Sequence, residues 1–124
     1  MNCPKCQAQM EKVAYKGIEV DRCTNCGGIW FELLEAEKLE KLKGSEAIDA
    51  GQAKLGKAYN LMDRIDCPLC KTQMIRMVDP GQHHIWFEGC TVCHGTFFDA
   101  GEFKDLKSVT VMDVIRNLLT GERK

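Results

Sequence analysis

The sequence predicts a small metal-stabilised α+β fold: two tandem copies of one cysteine-bearing unit, a helical connector and a C-terminal amphipathic helix. Three observations support this prediction. All eight cysteines fall into four Cys-x-x-Cys pairs, each half of the chain holds two pairs, and similar residues follow the second pair of each half. Because no cysteine is left over, we expect two metal sites.

Each half of the chain holds the ligands of one closed site. A two-residue gap lets both sulfurs of a Cys-x-x-Cys turn, or knuckle, face one ion while backbone amides stabilise the thiolates. We therefore predict two Zn²⁺ ions, each bound tetrahedrally by four thiolates at about 2.3 Å. The predicted ligands are Cys3, Cys6, Cys23 and Cys26 in the first site, and Cys67, Cys70, Cys90 and Cys93 in the second.

A β-hairpin is predicted between the two knuckles of each half. In the first half, apolar and acidic residues alternate over 18–21, and Gly17 suits the turn because it adopts positive φ without cost. The second half has three more residues between its knuckles, near the turn sequence Asp79-Pro80-Gly81-Gln82. Its strands are expected at 74–78 and 84–88. A hairpin brings the second knuckle of each half back to the first, as in a zinc ribbon.

A short helix is predicted after the second knuckle of each half. In the first half Gly44 is its predicted stop. In the second half Asp99 and Glu102 have the spacing of a capping box, with Asp99 accepting helix amides. The apolar positions of the two helices match in register: Ala36, Leu39 and Leu42 in the first, and Phe103, Leu106 and Val109 in the second. The agreement extends beyond the cysteines, so we infer an internal duplication.

The pattern divides the chain into four parts. These are the first unit (1–43), the connector (44–65), the second unit (66–109) and a C-terminal segment (110–124). The connector is expected to hold one helix at about 55–64, behind a start weakened by two glycines at about 1 kcal/mol each. An amphipathic helix is predicted over 111–119, with Val111, Val114, Ile115, Leu118 and Leu119 on its apolar face.

Composition argues against several classes of protein. Lys and Arg number 17 against 18 Asp and Glu, for a formal net charge of −1, and both signs are spread along the chain. The basic patch typical of nucleic-acid binding is therefore missing. There is no secretory signal and no apolar run of about 18 residues, so we expect a cytoplasmic protein with no membrane partner. Because the cytosol keeps thiols reduced, metal explains the cysteines better than disulfides do.

The first unit carries a recognisable motif. Cys-Pro-Lys-Cys, then Cys-Thr-Asn-Cys-Gly-Gly-Ile-Trp-Phe-Glu, followed by Glu35 and Leu39, resembles the bacterial family of transcription factor IIB-like zinc ribbons. The second unit follows the pattern with His94 in place of the first glycine and Phe97 in place of tryptophan. The resemblance covers both units and implies zinc on the eight cysteines. It also suggests transcription, because the ribbon that names the family docks on RNA polymerase, although fold does not fix function.

These observations predict a non-enzymatic macromolecular interaction module. A closed four-cysteine site has no open position for water or substrate, so we interpret both metals as structural. No nucleophile, base and orienting group can be assembled without the cysteines, and no phosphate-binding loop is present. We expect a protein partner, with the transcription machinery as the named candidate. The apolar face of the C-terminal helix is expected either to pack on a unit or to form a homodimer.

Two alternative functions stay open. Exposed aromatic residues could stack on single-stranded nucleic acid, although covering the hairpins is the favoured role. Trp86 and Phe87 are adjacent on one strand and so face opposite ways, which leaves one of them exposed. Tetrahedral sulfur also suits iron, as in rubredoxin-like electron transfer. Rubredoxin-like knuckles usually carry glycine where this chain has Gln7 and Lys71, which argues for zinc. His94 is interpreted as a substitution on the exposed shoulder of its knuckle rather than as a ligand.

Overall fold

The computed structural model describes residues 1–61, 65–79 and 82–106. These residues build one antiparallel sheet of six strands in the order β1-β2-β3-β6-β5-β4. The strands are β1 (Met10–Tyr15), β2 (Ile18–Cys23), β3 (Ile29–Phe31), β4 (Ile75–Asp79), β5 (Gln82–Gly89) and β6 (Thr96–Phe98). The first unit supplies the first three strands and the second unit the other three, so the duplication predicted from the cysteines is repeated in the topology.

Both predicted hairpins are present. The turn of the first holds Lys16 at φ 50° and Gly17 at φ 86°, and positive φ at both central residues is the backbone of a type I′ turn. This turn suits the right-handed twist of the short strands that it joins. The second hairpin pairs β4 with β5 and shifts register between Val78 and Asp79. The predicted turn residues 80–81 lie outside the described part of the chain.

The two halves of the sheet are joined by β3 and β6, which pair antiparallel with Trp30 opposite Phe97. The sequence analysis did not predict this pairing. A strand of three residues is too short to show a period, and nothing local links β3 to a strand so far along the chain. The sheet is therefore continuous from one unit to the other. The domain boundaries at 43, 65 and 109 stay predictions.

In the described part of the chain, four helical segments flank the sheet. They are α1 (Glu35–Glu40), a 3₁₀ helix (Ser45–Ile48), α2 (Ala53–Asn60) and α3 (102–106). The predicted stop, Gly44, has φ 87° and lies between α1 and the 3₁₀ helix. Residues 62–64 of the predicted connector helix and the predicted helix 111–119 lie outside the described residues. Within the described residues, no helix is both long and apolar enough to cross a lipid bilayer.

The aromatic core lies on one face of the sheet. Phe31 and Phe98 pack edge to face with ring centroids 5.4 Å apart, and Phe103 of α3 lies against both. The buried residues of this core are Val20, Ile29, Phe31, Leu39, Ile48, Phe98, Phe103 and Leu106. Residues from α1, the 3₁₀ helix and α3 therefore bury their apolar sides on the same face of the sheet.

The cysteine core lies on the opposite face. Trp30 and Phe97 point to this side because side chains alternate along a strand, so their neighbours Phe31 and Phe98 enter the aromatic core. Both residues are fully buried among the cysteines of both units. The sheet thus separates a core covered by helices from a core that holds the candidate ligands.

The start of α3 corrects one prediction. The side chain of Asp99 does not cap this helix: its Oδ2 accepts hydrogen bonds from Lys5 Nζ at 2.7 Å and Asn60 Nδ2 at 2.9 Å, and its buried Oδ1 accepts none from the described residues. The amides of Gly101 and Lys104 donate instead to the carboxylate of Asp49, both at 2.9 Å. The cap comes from the connector, so no local spacing in the sequence could identify it. Burial raises the pKa of Asp49, and the two amides act against that rise.

Candidate metal centres

The eight cysteines form two clusters of four. In each cluster the Sγ atoms all lie within 4.8 Å of one another. The first cluster comprises Cys3, Cys6, Cys23 and Cys26, and the second comprises Cys67, Cys70, Cys90 and Cys93. Three members of the first cluster are buried, against two members of the second. The structure therefore brings together the residues that the sequence predicted, in the predicted groups.

All four knuckles share one backbone conformation. The residue after the second cysteine has positive φ in each: 66° at Gln7, 78° at Gly27, 64° at Lys71 and 63° at His94. Its amide donates to the carbonyl of the first cysteine of the pair, at 2.9–3.2 Å. This tight turn places both sulfurs of a pair on the same side. Glycine adopts such φ values most easily, and only one of the four positions has it.

This finding removes one argument against iron. The sequence analysis took Gln7 and Lys71 as a departure from rubredoxin-like knuckles, which usually carry glycine there. Both residues nevertheless adopt the left-handed backbone that glycine would supply. The residue type at these positions therefore does not distinguish a zinc knuckle from an iron knuckle.

Backbone amides point at the sulfurs. Cys23 Sγ accepts hydrogen bonds from the amides of Asn25 and Cys26, both at 3.3 Å. The first cysteines of both knuckles in the second unit receive equivalent pairs of bonds at 3.3–3.4 Å. Such bonds favour the thiolate over the thiol, because they place partial positive charge beside the sulfur. The knuckle thus prepares its first cysteine to act as a ligand.

The thiols of each cluster share protons unequally. The hydrogen bond between the Cys3 and Cys26 sulfurs lowers the pKa of Cys3 to about 5 and raises the pKa of Cys26 far above its usual range. Burial opposes ionisation of Cys90, but the amides of Cys93 and Val92 outweigh it and bring the pKa of Cys90 to about 6. Burial raises the pKa of Cys93 to about 12. A divalent cation would supply the charge that lets all four thiols ionise.

The donor set fits a tetrahedral soft-metal site. Four thiolates at about 2.3 Å from a central ion lie about 3.8 Å apart. The observed Sγ–Sγ distances include 3.7 Å between Cys3 and Cys26 and 3.7 Å between Cys67 and Cys93. A distance of 3.3 Å between Cys6 and Cys23 is shorter and would lengthen on coordination. The eight cysteines would hold two ions, with zinc or iron as the matching metals.

Each cluster is covered by an aromatic residue of the other unit. The ring of Phe97 lies against Gly28 of the first unit so closely that a Cβ at Gly28 would overlap it. The indole of Trp30 lies against Gly95 of the second unit in the same way. The sequence analysis expected the aromatics to cover the hairpins and did not predict that Trp30 and Phe97 would reach the other unit. Their exchange arises from the pairing of β3 with β6, and it couples the two sites through one core.

A buried ion cluster also links the two units. Lys5, inside the first knuckle, is fully buried and lies 2.7 Å from Asp99 Oδ2 and 3.2 Å from Glu88 Oε1. Its Nζ also donates to the carbonyl of Tyr59 at 3.0 Å. Burial raises the pKa of Glu88, while Lys5 acts to lower it. The sequence analysis did not predict this cluster, because nothing in the local sequence distinguishes Lys5 from an ordinary exposed polar residue of a knuckle.

Two further predictions concern exposed residues. His94 is exposed and does not belong to the second cluster, as expected from its position beside four complete ligands. Of the adjacent pair, Trp86 is 38% exposed, while Phe87 stacks on Phe98 with ring centroids 4.8 Å apart. The guanidinium of Arg76 lies 5.2 Å from the centre of the Trp86 ring. One aromatic of the pair thus remains accessible, as the alternation predicted.

Comparison with known proteins bears on the first cluster. The sequence model of a family described as "Transcription factor zinc-finger", a zinc ribbon of the transcription factor IIB type, matches residues 2–42. The matched segment contains all four cysteines of the first cluster. The first unit is therefore similar to a zinc ribbon over these residues. The second unit lies outside the match, but it repeats the strand topology and has its own four-cysteine cluster. No curated protein and no solved structure matches the chain.

Proposed function

We propose that the protein is a zinc-binding, non-enzymatic interaction module in which two structural Zn²⁺ ions hold a rigid double ribbon. The observation that supports this most is the closed geometry of the two clusters. The four sulfurs of each cluster lie within 4.8 Å of one another. They would supply all four ligands of a tetrahedral ion and leave no position for water or substrate. The metal would therefore contribute folding free energy rather than Lewis-acid chemistry.

Zinc is proposed over iron because of the family match at residues 2–42. The same match supports a transcription-related assembly as the setting in which the module works. We propose a protein as the partner, since the formal net charge of −1 gives no electrostatic attraction to nucleic acid. Two filled sites would make the protein more acidic still, because four thiolates outweigh one divalent ion.

The deciding experiment measures metal content. The full chain is expressed without added metal, and elemental mass spectrometry and visible absorbance are recorded on one sample. We expect about two zinc ions per chain and no visible absorbance. Iron with a reducible visible spectrum would move the function to electron transfer. If neither zinc nor iron is bound, the proposal of two structural metal ions is refuted.

Nucleic-acid binding is the second candidate function. Trp86, partly exposed and stacked against the Arg76 guanidinium, has the composition of a base-stacking platform. If this function holds, single-stranded oligonucleotide binding would weaken steeply as salt rises, and Trp86→Ala would reduce it severalfold. Absence of binding at low salt would exclude it. Asp66→Asn, at an exposed residue outside this pair, offers a control.

A further inference from the structure

An apolar groove lies on the second unit beside its metal centre. Its volume is about 460 Å³, and it lies between β4 and the segment that leads into α1. Leu33, Leu34, Ile75 and Met77 line it and are between 38% and 54% exposed. Four large apolar side chains in one groove are more than scattered surface exposure explains. The groove therefore has the character of a surface that another segment covers.

The corresponding place on the first unit is covered by the connector. Arg22 donates to the carbonyl of Ile48 at 2.9 Å, and Ile48 itself is buried in the aromatic core. Asp49 accepts the amides of Gly101 and Lys104. These contacts fix the connector across the end of the first unit and against the start of α3.

Gly51 shows how closely the connector is seated. A Cβ at Gly27 would lie 2.8 Å from the Cα of Gly51, and a Cβ at Gly51 would lie 2.7 Å from the Cβ of Ala100. Only glycine on both sides allows this approach. Residues 48–51 therefore lie in close contact across the site on the first unit, and a smaller pocket of about 280 Å³ remains beside Ala50 and Gly51.

The two places correspond residue by residue. In the register that matches Cys23 with Cys90, each position contacted by residues 48–51 has a counterpart in the groove lining. Arg22, Gly27, Ala100, Gly101 and Lys104 correspond to Gly89, His94, Leu33, Leu34 and Glu37. The groove on the second unit thus corresponds to a site that the chain itself partly covers on the first, where the remaining pocket is about 280 Å³ against about 460 Å³.

The chain that follows α3 carries the sequence needed to fill the groove. The spacing from Leu39 to Ile48 in the first copy is repeated from Leu106 to Ile115. Leu106 is buried in the aromatic core, on the same face of the sheet as Leu39 and Ile48. Leu106, the last described residue, therefore has the place in the second unit that Leu39, nine residues before Ile48, has in the first.

The matched residues of the two units carry opposite charges, and in each unit the two charges are complementary. On the first unit, the acidic Asp49 faces basic Lys104, whose charge acts to lower the pKa of Asp49. In the same register, Asp49 corresponds to Arg116 and Lys104 corresponds to Glu37. Glu37 is exposed at the groove. Arg116 and Glu37 can form the equivalent ion pair only if the segment after α3 contacts this groove.

We propose that residues 111–119 of the same chain occupy the groove, with Ile115 taking the role of Ile48 and Arg116 pairing with Glu37. The apolar residues that the sequence predicts for this segment would bury Leu33, Leu34, Ile75 and Met77. The occupant is the protein's own C-terminal segment, and the C-terminal end thereby completes the second unit as the connector completes the first.

The first test is photo-crosslinking in the full chain. Benzoylphenylalanine replaces Met77 in the groove or, as a control, Trp86 on the opposite face, and both proteins must retain two metal ions per chain. We expect the probe at position 77 to crosslink to residues 111–119 of its own chain, and the probe at 86 not to. A mixture of isotopically light and heavy chains distinguishes crosslinks within one chain from crosslinks between two chains. Crosslinks between chains would identify a second copy as the occupant and overturn the proposal, as would no crosslink at all.

The second test uses point variants of the full chain. Labelling methionine methyl groups with carbon-13 gives an NMR signal for Met77 that reports on the groove. Ile115→Asp is expected to shift this signal, whereas Asn117→Asp, off the predicted apolar face, leaves it in place. Arg116→Glu is expected to weaken occupancy about two- to fivefold, the range of an exposed ion pair. Adding Glu37→Arg should restore it. An unchanged Met77 signal in Ile115→Asp refutes the proposal.

Discussion

The first and second units share a backbone and differ in what surrounds it. The left-handed residues recur at matched positions: Gln7 with Lys71, Gly27 with His94, and Leu34 with Gly101. The strand order, the knuckle hydrogen bonds and the two four-sulfur clusters recur as well. Duplication has therefore kept the geometry that a metal requires, even where the residue type has changed.

The two units differ in the charge of matched residues and in the segments that cover them. Lys5 is buried between two carboxylates of the second unit, whereas its counterpart Leu69 is 49% exposed. The connector covers the first unit and ties it to α3 through Asp49. The first unit is thus more enclosed by other parts of the chain than the second unit is. We expect equivalent substitutions in the two units to have unequal effects.

The largest effect is expected from removing a ligand. Cys26→Ser and Cys93→Ser should each reduce bound metal from about two ions per chain to about one. A finger-like zinc site contributes about 10–16 kcal/mol, comparable with the whole stability of a small protein, so the affected unit should unfold. Circular dichroism and elemental analysis measure both consequences.

The comparison between these two variants is the sharper part of the test. Cys26 is buried, while Cys93 is half-buried at the less enclosed cluster. A chelator should therefore remove the second ion before the first from the wild-type protein. Release of both ions in a single step would show that the shared sheet makes the two sites one cooperative unit.

The next effect concerns the buried lysine. Lys5→Met removes the cation that Asp99 and Glu88 share and leaves Glu88 with the more distant Arg76, at 3.9 Å; breaking a buried pair in this way costs about 3–5 kcal/mol. Leu69→Met, at the matched exposed position, should change the free energy of unfolding by less than about 0.5 kcal/mol. Urea unfolding in excess zinc measures both. If both variants change the free energy of unfolding equally, the burial of Lys5 does not make the first unit more sensitive to substitution than the second.

The third effect concerns the residue after the second knuckle. Gly27→Ala should cost about 2 kcal/mol or more, because φ is 78° and the new Cβ would lie 2.8 Å from Gly51 Cα. His94→Gly should instead stabilise by less than about 1 kcal/mol, since the exposed side chain is lost and the positive φ is relieved. Thermal unfolding measures both, and unchanged metal content in His94→Gly would confirm that His94 is not a ligand.

The sequence predicted the metal clusters well because their signal is local and redundant. Four identical spacings and a duplicated motif identify the cysteines without any knowledge of tertiary contacts. The hairpins followed from alternation and from Gly17, which sits at positive φ as expected. The family resemblance supported the same reading at residues 2–42.

What the sequence did not predict depends on contacts between distant residues. The β3–β6 pairing, the exchange of Trp30 and Phe97, and the cap that Asp49 gives to α3 all join segments far apart in the chain. Asp99 illustrates the failure: its spacing to Glu102 indicated a cap, but Lys5 offered its carboxylate a stronger partner. A charged donor in a buried site outweighs a neutral backbone amide.

The smallest expected effect is a pH dependence at the start of α3. Burial, and then the charges of Asp99, Asp105 and Asp49, raise the pKa of Glu102 to about 7. An unfolded glutamate titrates near about 4.3, so the folded state binds more protons between the two values. The stability of the wild-type protein should therefore fall as pH rises through this window, with the full penalty present above about pH 7.

Glu102→Gln removes that penalty because the amide carries no charge. The variant should be more stable than wild type by about 1–2 kcal/mol at pH 8, a value reduced for partial solvent screening, and the difference should shrink towards pH 6. Glu35→Gln, at the matched position of α1, keeps an acceptor for the amide of Glu32 and should stay within about 0.5 kcal/mol of wild type at both pH values. Urea unfolding at pH 6 and 8, in excess zinc, gives the four differences. If both variants respond alike, the acidic surroundings of Glu102 do not set this difference between the units, and the asymmetry rests on Lys5 and the connector alone.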